Sequence, residues 1–486
     1  MYMSEKVSIK KNLAFETIYQ ITSTCLPLIT SPYLSRILGA SQLGVYSFTS
    51  SIVSYFMLFA MLGTYNHGTR SIAACRDDIT ERSRVFWSIF RLHAVVNVIC
   101  VCAYSVYLLF FCKENNMIAT IQMIELSSCF FNIVWLFTGM ERIQFTATRN
   151  LIIRVTSVVL ILVFVKKPED LWIYALITVL SALISQAVLW VYLPKFVVRE
   201  KVTWTESLNH LKPSLLLFIP LLAMSVYHIM DKTMLGLISN YEQSGYYYNA
   251  DKIVNIMVGI ISGVSTVMLP RMSSLISQGK KEESNNLFRV SLEGTVLAGT
   301  AIAFGIAAIA KEFEPLFFGP GYDECIMLTI VLAPVLIIKS FSITARYQYL
   351  IPHHKEKKFI ASVIAGAVVN LIANYILIPK IGAMGAVIGT LAAEFTACII
   401  QYALIRKMIS IKITLHRSIM YMVFGTIMFV VVRIVALVPA ATAVKIVLEV
   451  LSGAVIFVLL CFMYWRMTNN KIWEKMFSGM LKRFKR

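Results

Sequence analysis

The feature that most constrains this chain is a series of apolar runs, most about twenty residues long, separated by short polar connections. They fall near 13–34, 42–63, 85–111, 117–138, 151–165, 171–193, 213–239, 245–270, 287–310, 324–350, 359–379, 383–405, 416–438 and 440–465. A run of this length spans the hydrocarbon core of a bilayer as an α-helix. Inside lipid, backbone polar groups must be satisfied within the segment, which leaves helices or closed barrels. These runs are too long and too uniformly apolar for barrel strands. With 58% hydrophobic and 15% charged residues, the fold expected is an all-α polytopic membrane protein of about fourteen transmembrane helices.

The basic residues orient it. Lys and Arg collect in cytoplasmic loops, and most of the 45 basic residues fall on one set of alternate connections, among them Arg70, Arg76, Arg82 and Arg84, then Arg142, Arg149 and Arg154, then Lys355, Lys357 and Lys358. Both termini are therefore expected in the cytoplasm. The net charge of +19 is assigned to loops facing anionic headgroups, so no nucleic-acid partner is implied, while membrane lipids are. The basic N-terminus followed by a long run with Pro27 and Pro32 reads as a retained first span. The nine cysteines show no CxxC or metal spacing, and no metal site is expected.

The chain also restates itself. SRILGASQLGVYSFTSSIV (35–53) returns in the stretch 231–271: laying Gly245 on Gly44 puts Ile253-Val254 on Ile52-Val53 and Arg271 on Arg70, at a constant offset of 201. A four-residue slip upstream sets Leu235-Gly236 on Leu38-Gly39, so each copy is expected to end one span in Leu-Gly, pass through a short loop and open the next span at a Gly. Internal repeats of this kind build many secondary transporters, with the substrate site between the repeats.

Loops are short throughout, and HExxH, Walker and nucleophile-elbow patterns are absent from the sequence. The chain is therefore expected not to be an enzyme, and no cofactor is implied. Ionisable residues within spans are costly and mark function by default. The deep ones are Glu125, Asp231, Lys232, Asp251, Lys252, Lys339, Arg346 and Glu394, with Glu16, Arg91 and Glu293 nearer the inner surface. Asp231-Lys232 and Asp251-Lys252 lie at similar depth on either side of one helical hairpin. They either pair across it or line a cavity. Lys339 and Arg346, seven apart with Ser342 between, share a helix face on a span that carries no acidic residue to neutralise them; both are read as uncompensated cations, with snorkelling to the inner surface as the alternative for Arg346. Polar stripes mark span 1 (Glu16, Gln20, Ser23, Thr24), span 2 (Ser47, Ser50, Ser51, Ser54) and span 4 (Glu125, Ser128, Asn132, then Trp135); such stripes also serve as helix-packing surfaces. His353-His354 reads as solvated. Pro27, Pro213, Pro220 and Pro334 are expected to bend spans 1, 7 and 10.

PYLSRILGASQLGVYSFTSSIVSYFMLFAMLG, the following HGTRSIAACRDD, WLFTGMERIQFTATRN (135–150), DKTMLG and KIVNIMVGIISGVSTVMLPRMS resemble the patterns of Wzx-type flippases for lipid-linked oligosaccharides, within the multidrug/oligosaccharidyl-lipid/polysaccharide exporter superfamily. The likeness covers nearly the whole chain and weakens from about residue 410. It implies two six-helix lobes around a cavity plus two C-terminal helices, with boundaries at 1–206, 207–410 and 411–486. It also implies export of an undecaprenyl-diphosphate-linked glycan for O-antigen, capsule or exopolysaccharide assembly, in the bacterial cytoplasmic membrane, alongside a polysaccharide polymerase and glycosyltransferases. Asn132 departs from the acidic residue often found before the span-4 Trp. The residues then expected to meet substrate are Lys339, Arg346, Lys232, Lys252 and Arg91, and the carboxylates of the cavity or of Na+ or H+ coupling are Glu16, Glu125, Asp231, Asp251 and Glu394. The rival is a multidrug or cation antiporter of the same superfamily, in which carboxylates would dominate the cavity.

Overall fold

The computed structural model describes residues 9–406 and 412–468, and among them every regular element is a helix. In chain order these are α1 (Ile9–Met61), α2 (Thr64–Ala74), α3 (Ile79–Phe110), α4 (Asn116–Phe130), α5 (Val134–Gly139), α6 (Ile143–Phe164), α7 (Leu171–Tyr192), α8 (Trp204–Asn209), α9 (Leu211–Ile238), α10 (Tyr241–Ser277), α11 (Lys281–Phe318), α12 (Asp323–Leu332), α13 (Val335–Ala345), α14 (Glu356–Ile381), α15 (Ala383–Ile405), α16 (Lys412–Val435) and α17 (Thr442–Met467). Twelve stretches among the described residues are long and apolar enough to cross a membrane. One of them, Leu26–Ala74, holds the end of the first expected span and all of the second. The 22-residue α6 supplies the remaining one. The protein is thus a polytopic helical membrane protein.

The chain divides into two compact units, residues 1–248 with Ile378–Gly382, and residues 249–377 with 383–486. In the first, α1 packs on α6, α4, α9 and α3, while α4 lies on α7 and α2 on α5. In the second, α11 is the central helix, carrying α16, α13, α12 and α17, and α15 lies on α13.

One expected loop and one expected span are reshaped. Spans 1 and 2 are two helices that meet at a kink at Gly39, where the first copy's Leu-Gly was expected to end a span; the φ of 75° there is in the left-handed region that glycine adopts without a Cβ penalty, and no separate loop intervenes. The repeat copy breaks with a short loop, at Ser239-Asn240 between α9 and α10. Span 4, expected to be continuous, breaks between α4 and α5 although it contains no Pro there. The interruption is stabilised from neighbouring helices: Trp190 Nε1 donates to the Phe131 carbonyl at 2.9 Å, His93 Nε2 donates to that of Cys129 at 2.8 Å, and Asn132 Oδ1 accepts from the Val134 N–H at 3.2 Å. Backbone groups freed within a bilayer need such partners, and Asn132 supplies one of them. Trp135, fully buried, then packs on Gly68 and stacks on Phe86 at 5.2 Å between ring centres.

The two glycines that define the repeat register meet. A Cβ on Gly44 would overlap the carbonyl of Tyr241, and one on Gly245 would overlap the carbonyl of Ala40. Ala40 and Tyr241 are themselves related by the offset of 201. Each glycine therefore faces the repeat equivalent of the residue faced by the other, the reciprocity of a two-fold contact.

In the second unit the same economy of small residues appears where Gly299 of α11 lies against Ser340 of α13, and Thr295 shares a 2.9 Å hydrogen bond with Thr344. The C-terminal pair is fixed to α11 by polar links: Glu293 accepts from Arg417 at 2.8 Å and from the Tyr421 hydroxyl at 2.6 Å, and Trp465 Nε1 donates to that hydroxyl at 3.0 Å. Replacing Tyr421 by Phe removes both links and leaves the indole N–H buried without its acceptor. A loss of about 1–3 kcal/mol is expected, checked as a lower melting midpoint of the detergent-solubilised protein.

A polar cavity in the first unit as the candidate functional site

A polar cavity within the first unit has a volume of about 460 Å³. Its walls come from α4 (Glu125), α6 (Arg149, Asn150, Arg154, Ser157) and α7 (Thr178, Ser181, Ser185, Gln186). Thr178, Ser181 and Ser185 recur at three- and four-residue steps, which sets them on one helix face, and Gln186 borders it. Asn150 organises the wall: its Oδ1 accepts from Arg149 Nη2 at 2.7 Å and from the Ser185 hydroxyl at 2.8 Å. Arg149 is buried, Glu125 half-buried and Arg154 exposed. A guanidinium on a buried wall, a second one nearby and a row of hydroxyl and amide groups can bind a phosphate and exchange hydrogen bonds with sugar hydroxyls.

The second cavity, about 250 Å³, is lined by Tyr46, Ser47, Ser50, Ser51 and Ser54 of α1, Tyr174 of α7, Ile229 and Lys232 of α9, and Tyr248 of α10. The serine stripe of span 2 does line a cavity, and one member also packs: Ser51 shares a 2.8 Å hydrogen bond with Thr233. Tyr46 and Tyr174 are in ring contact at 4.7 Å. One turn along α7 from Tyr174, Thr178 borders the larger cavity, so the two cavities share that helix.

The residues singled out from the sequence separate into different environments. Glu125 is on the larger cavity and Lys232 on the smaller, with its ammonium 5.6 Å from the Tyr248 ring centre. Asp231, next to Lys232 in sequence, is buried and accepts from the Tyr247 hydroxyl at 2.6 Å. Asp251 accepts from Asn255 at 2.6 Å, and Lys252 beside it is half-buried. Arg91 donates to the Val202 carbonyl at 2.9 Å and lies over Trp204 at 3.8 Å, fastening the 196–204 connection to α3; it lines neither cavity.

Lys339 requires a correction: it is not an uncompensated cation, because its ammonium lies 2.6 Å from Glu394 Oε1 of α15. A partner 55 positions away in sequence is invisible to helix spacing, and the pair joins a residue read as a substrate contact to one read as a coupling carboxylate. Arg346 begins a π-helical turn, Arg346–Leu350, and its guanidinium is 4.8 Å from the Tyr347 ring centre and 4.7 Å from that of Phe359. His353 is not simply solvated. It is half-buried, stacks on Tyr349 at 4.1 Å and hydrogen-bonds its carbonyl at 2.9 Å. Burial, followed by the neighbouring lysines and His354, holds it below the ordinary histidine range. Glu16, together with Gln20, Ser23 and Thr24, lies outside the residues whose side chains are described.

Arg149, Arg154 and the polar face of α7 were missed because the charge tally placed both arginines in an inner loop. The periodic Thr178, Ser181 and Ser185, with Gln186 beside them, within an otherwise apolar span is the signal that could have found them.

Membrane-spanning helices enclosing polar, charge-bearing cavities are the architecture of a membrane transporter. The chain belongs to the polysaccharide biosynthesis protein family, whose pattern it matches over residues 9–276. It is 25% identical over 406 residues to a protein of Escherichia coli (strain K12) named as an O-antigen transporter, covering 80% of this chain and 95% of that one. A second protein so named, from Shigella dysenteriae, is 24% identical over 394 residues, covering 79% and 97%. Among solved structures, the lipid II flippase MurJ in an inward closed conformation superposes with a TM-score of 0.78 at 14% identity, covering 94% of this chain and 99% of that one. An inward-facing multidrug resistance MATE family transporter gives 0.59 at 16% identity, covering 80% and 94%. These likenesses show the fold.

Proposed function

We propose that this protein moves polyprenyl-diphosphate-linked oligosaccharide repeat units from the inner to the outer leaflet of the bacterial cytoplasmic membrane by alternating access, supplying O-antigen, capsule or exopolysaccharide assembly. The observation that carries this reading is the larger cavity, where Arg149 and Arg154 stand with a wall of hydroxyl and amide groups. The arginines meet the diphosphate, the α7 face meets the first sugars, and the polyprenyl tail stays in lipid. Transfer of the headgroup through hydrocarbon is costly because its charges and hydroxyls lose water, and such a wall replaces those hydrogen bonds.

The family relatives support the substrate class. The cavity charges support it over a cation antiporter, since two arginines face one carboxylate in the larger cavity and a lysine lines the smaller.

The test is the double variant R149Q/R154Q in cells whose surface glycan depends on this protein. Hydrogen bonds to charged groups contribute about 1.5–3 kcal/mol each, so export is expected to fall by roughly tenfold or more per arginine. Lipid-linked units then accumulate on the inner leaflet at normal protein level. Full surface glycan in the double variant would remove these arginines from the mechanism.

A further inference from the structure

Glu449 lies on α17, one turn before Gly453, where α17 closes on Val432 and Met428 of α16. The residue is fully buried, and neither carboxylate oxygen has a hydrogen-bond partner among the described residues. The charged groups within its electrostatic reach are Glu312 on α11, Arg433 on α16 and Lys445 on its own helix. Arg433 is committed elsewhere: it grips Glu312 through two hydrogen bonds, 2.6 and 3.1 Å, and donates to the Ala308 carbonyl at 2.8 Å. That pair is neutral as it stands. An ionised Glu449 would add a second, unhydrated negative charge beside it, at a cost of several kcal/mol. Glu314 of α11, also fully buried, differs in accepting through one oxygen from Thr329 at 2.7 Å. No group of three or more acidic, histidine or cysteine side chains that could hold a metal ion occurs among the described residues.

We propose that Glu449 is a proton-binding site in the C-terminal helix pair, holding its proton while Arg433 grips Glu312 and releasing it when Arg433 turns to Glu449. The O–H bond of the carboxyl breaks, the proton passes to water at the 436–441 turn about two helical turns away, and the remaining carboxylate takes the guanidinium. Proton occupancy is thereby tied to the contact between α16 and α11. The site is separate from the sugar-phosphate cavity, and its test does not depend on transport.

The experiment is infrared absorption of the full-length protein in lipid nanodiscs at neutral pH, comparing wild type with E449Q and E312Q. Glutamine has the shape of the protonated acid, so E449Q is expected to fold and to lack one protonated-carboxyl stretching band, the Glu314 contribution remaining. In E312Q, Arg433 loses its partner, turns to Glu449 and drives off its proton, so the same band disappears although Glu449 is intact. That second result stands even if E449Q fails to fold. An E449Q spectrum identical to wild type, an E312Q spectrum that keeps the band, or a wild-type band that responds to sodium at constant pH would overturn the proposal.

Discussion

Valine at Gly44 or at Gly245 is expected to prevent the first unit from assembling, with loss of most of the monodisperse protein recovered in detergent. The positions that a Cβ would take are already occupied by the backbone carbonyls of Tyr241 and Ala40, and the added atom on Gly44 would also stand 3.0 Å from the Gly245 nitrogen. A flexible side chain could swing aside, whereas a backbone carbonyl moves only with its helix, so α1 and the first turns of α10 would have to separate. Overpacking in a core usually costs about 1–3 kcal/mol, and backbone overlap places these variants at or beyond the upper end. Because the contact is reciprocal, the two variants should fail to a similar degree. Alanine at Gly305, where nothing lies within 4 Å, is the control and should be recovered like wild type. Recovery of G44V and G245V at wild-type yield and melting midpoint would contradict the packing described.

Removing either partner of the Lys339–Glu394 pair is expected to be nearly as damaging. The two side chains are 13% and 6% exposed, so K339Q or E394Q leaves a charge buried without its partner, at a cost of about 3–5 kcal/mol. Replacing both by methionine should restore much of the loss, since the expense lies in the orphaned charge and not in the absence of the pair. Melting midpoints of the two single variants and the double variant, measured in one detergent, check this. Single variants as stable as wild type would show that the ion pair is dispensable.

How far the sequence could be read depends on the range of each signal. Membrane helices were legible because hydropathy is a local property. The repeat was legible because Gly44 and Gly245 have no alternative residue that fits, so both copies preserve them in register. The serine face of span 2 was legible as helical spacing. Glu394 as the partner of Lys339 was not, since it approaches from another helix. Asp231 and Lys232, adjacent in sequence, point to Tyr247 and to a cavity respectively, a divergence that only packing decides. The break after α4 has no Pro or Gly to announce it, because its carbonyls are satisfied by Trp190 and His93 from elsewhere. Arg149 and Arg154 were hidden by the positive-inside tally, which counts a basic residue near a span end without asking whether it faces water or a cavity.

The most direct test of the account uses the purified protein in sealed vesicles containing a polyprenyl-diphosphate-linked glycan in both leaflets, exposed to a glycosidase that cannot cross the bilayer. With wild-type protein, glycan from the inner leaflet is expected to reach the outer one, so that the whole pool is consumed. With R149Q/R154Q, consumption should stop once the outer-leaflet pool is spent, as in protein-free vesicles. An inner-leaflet pool that survives in the presence of well-folded wild-type protein would contradict the central claim, as would complete consumption with the double variant.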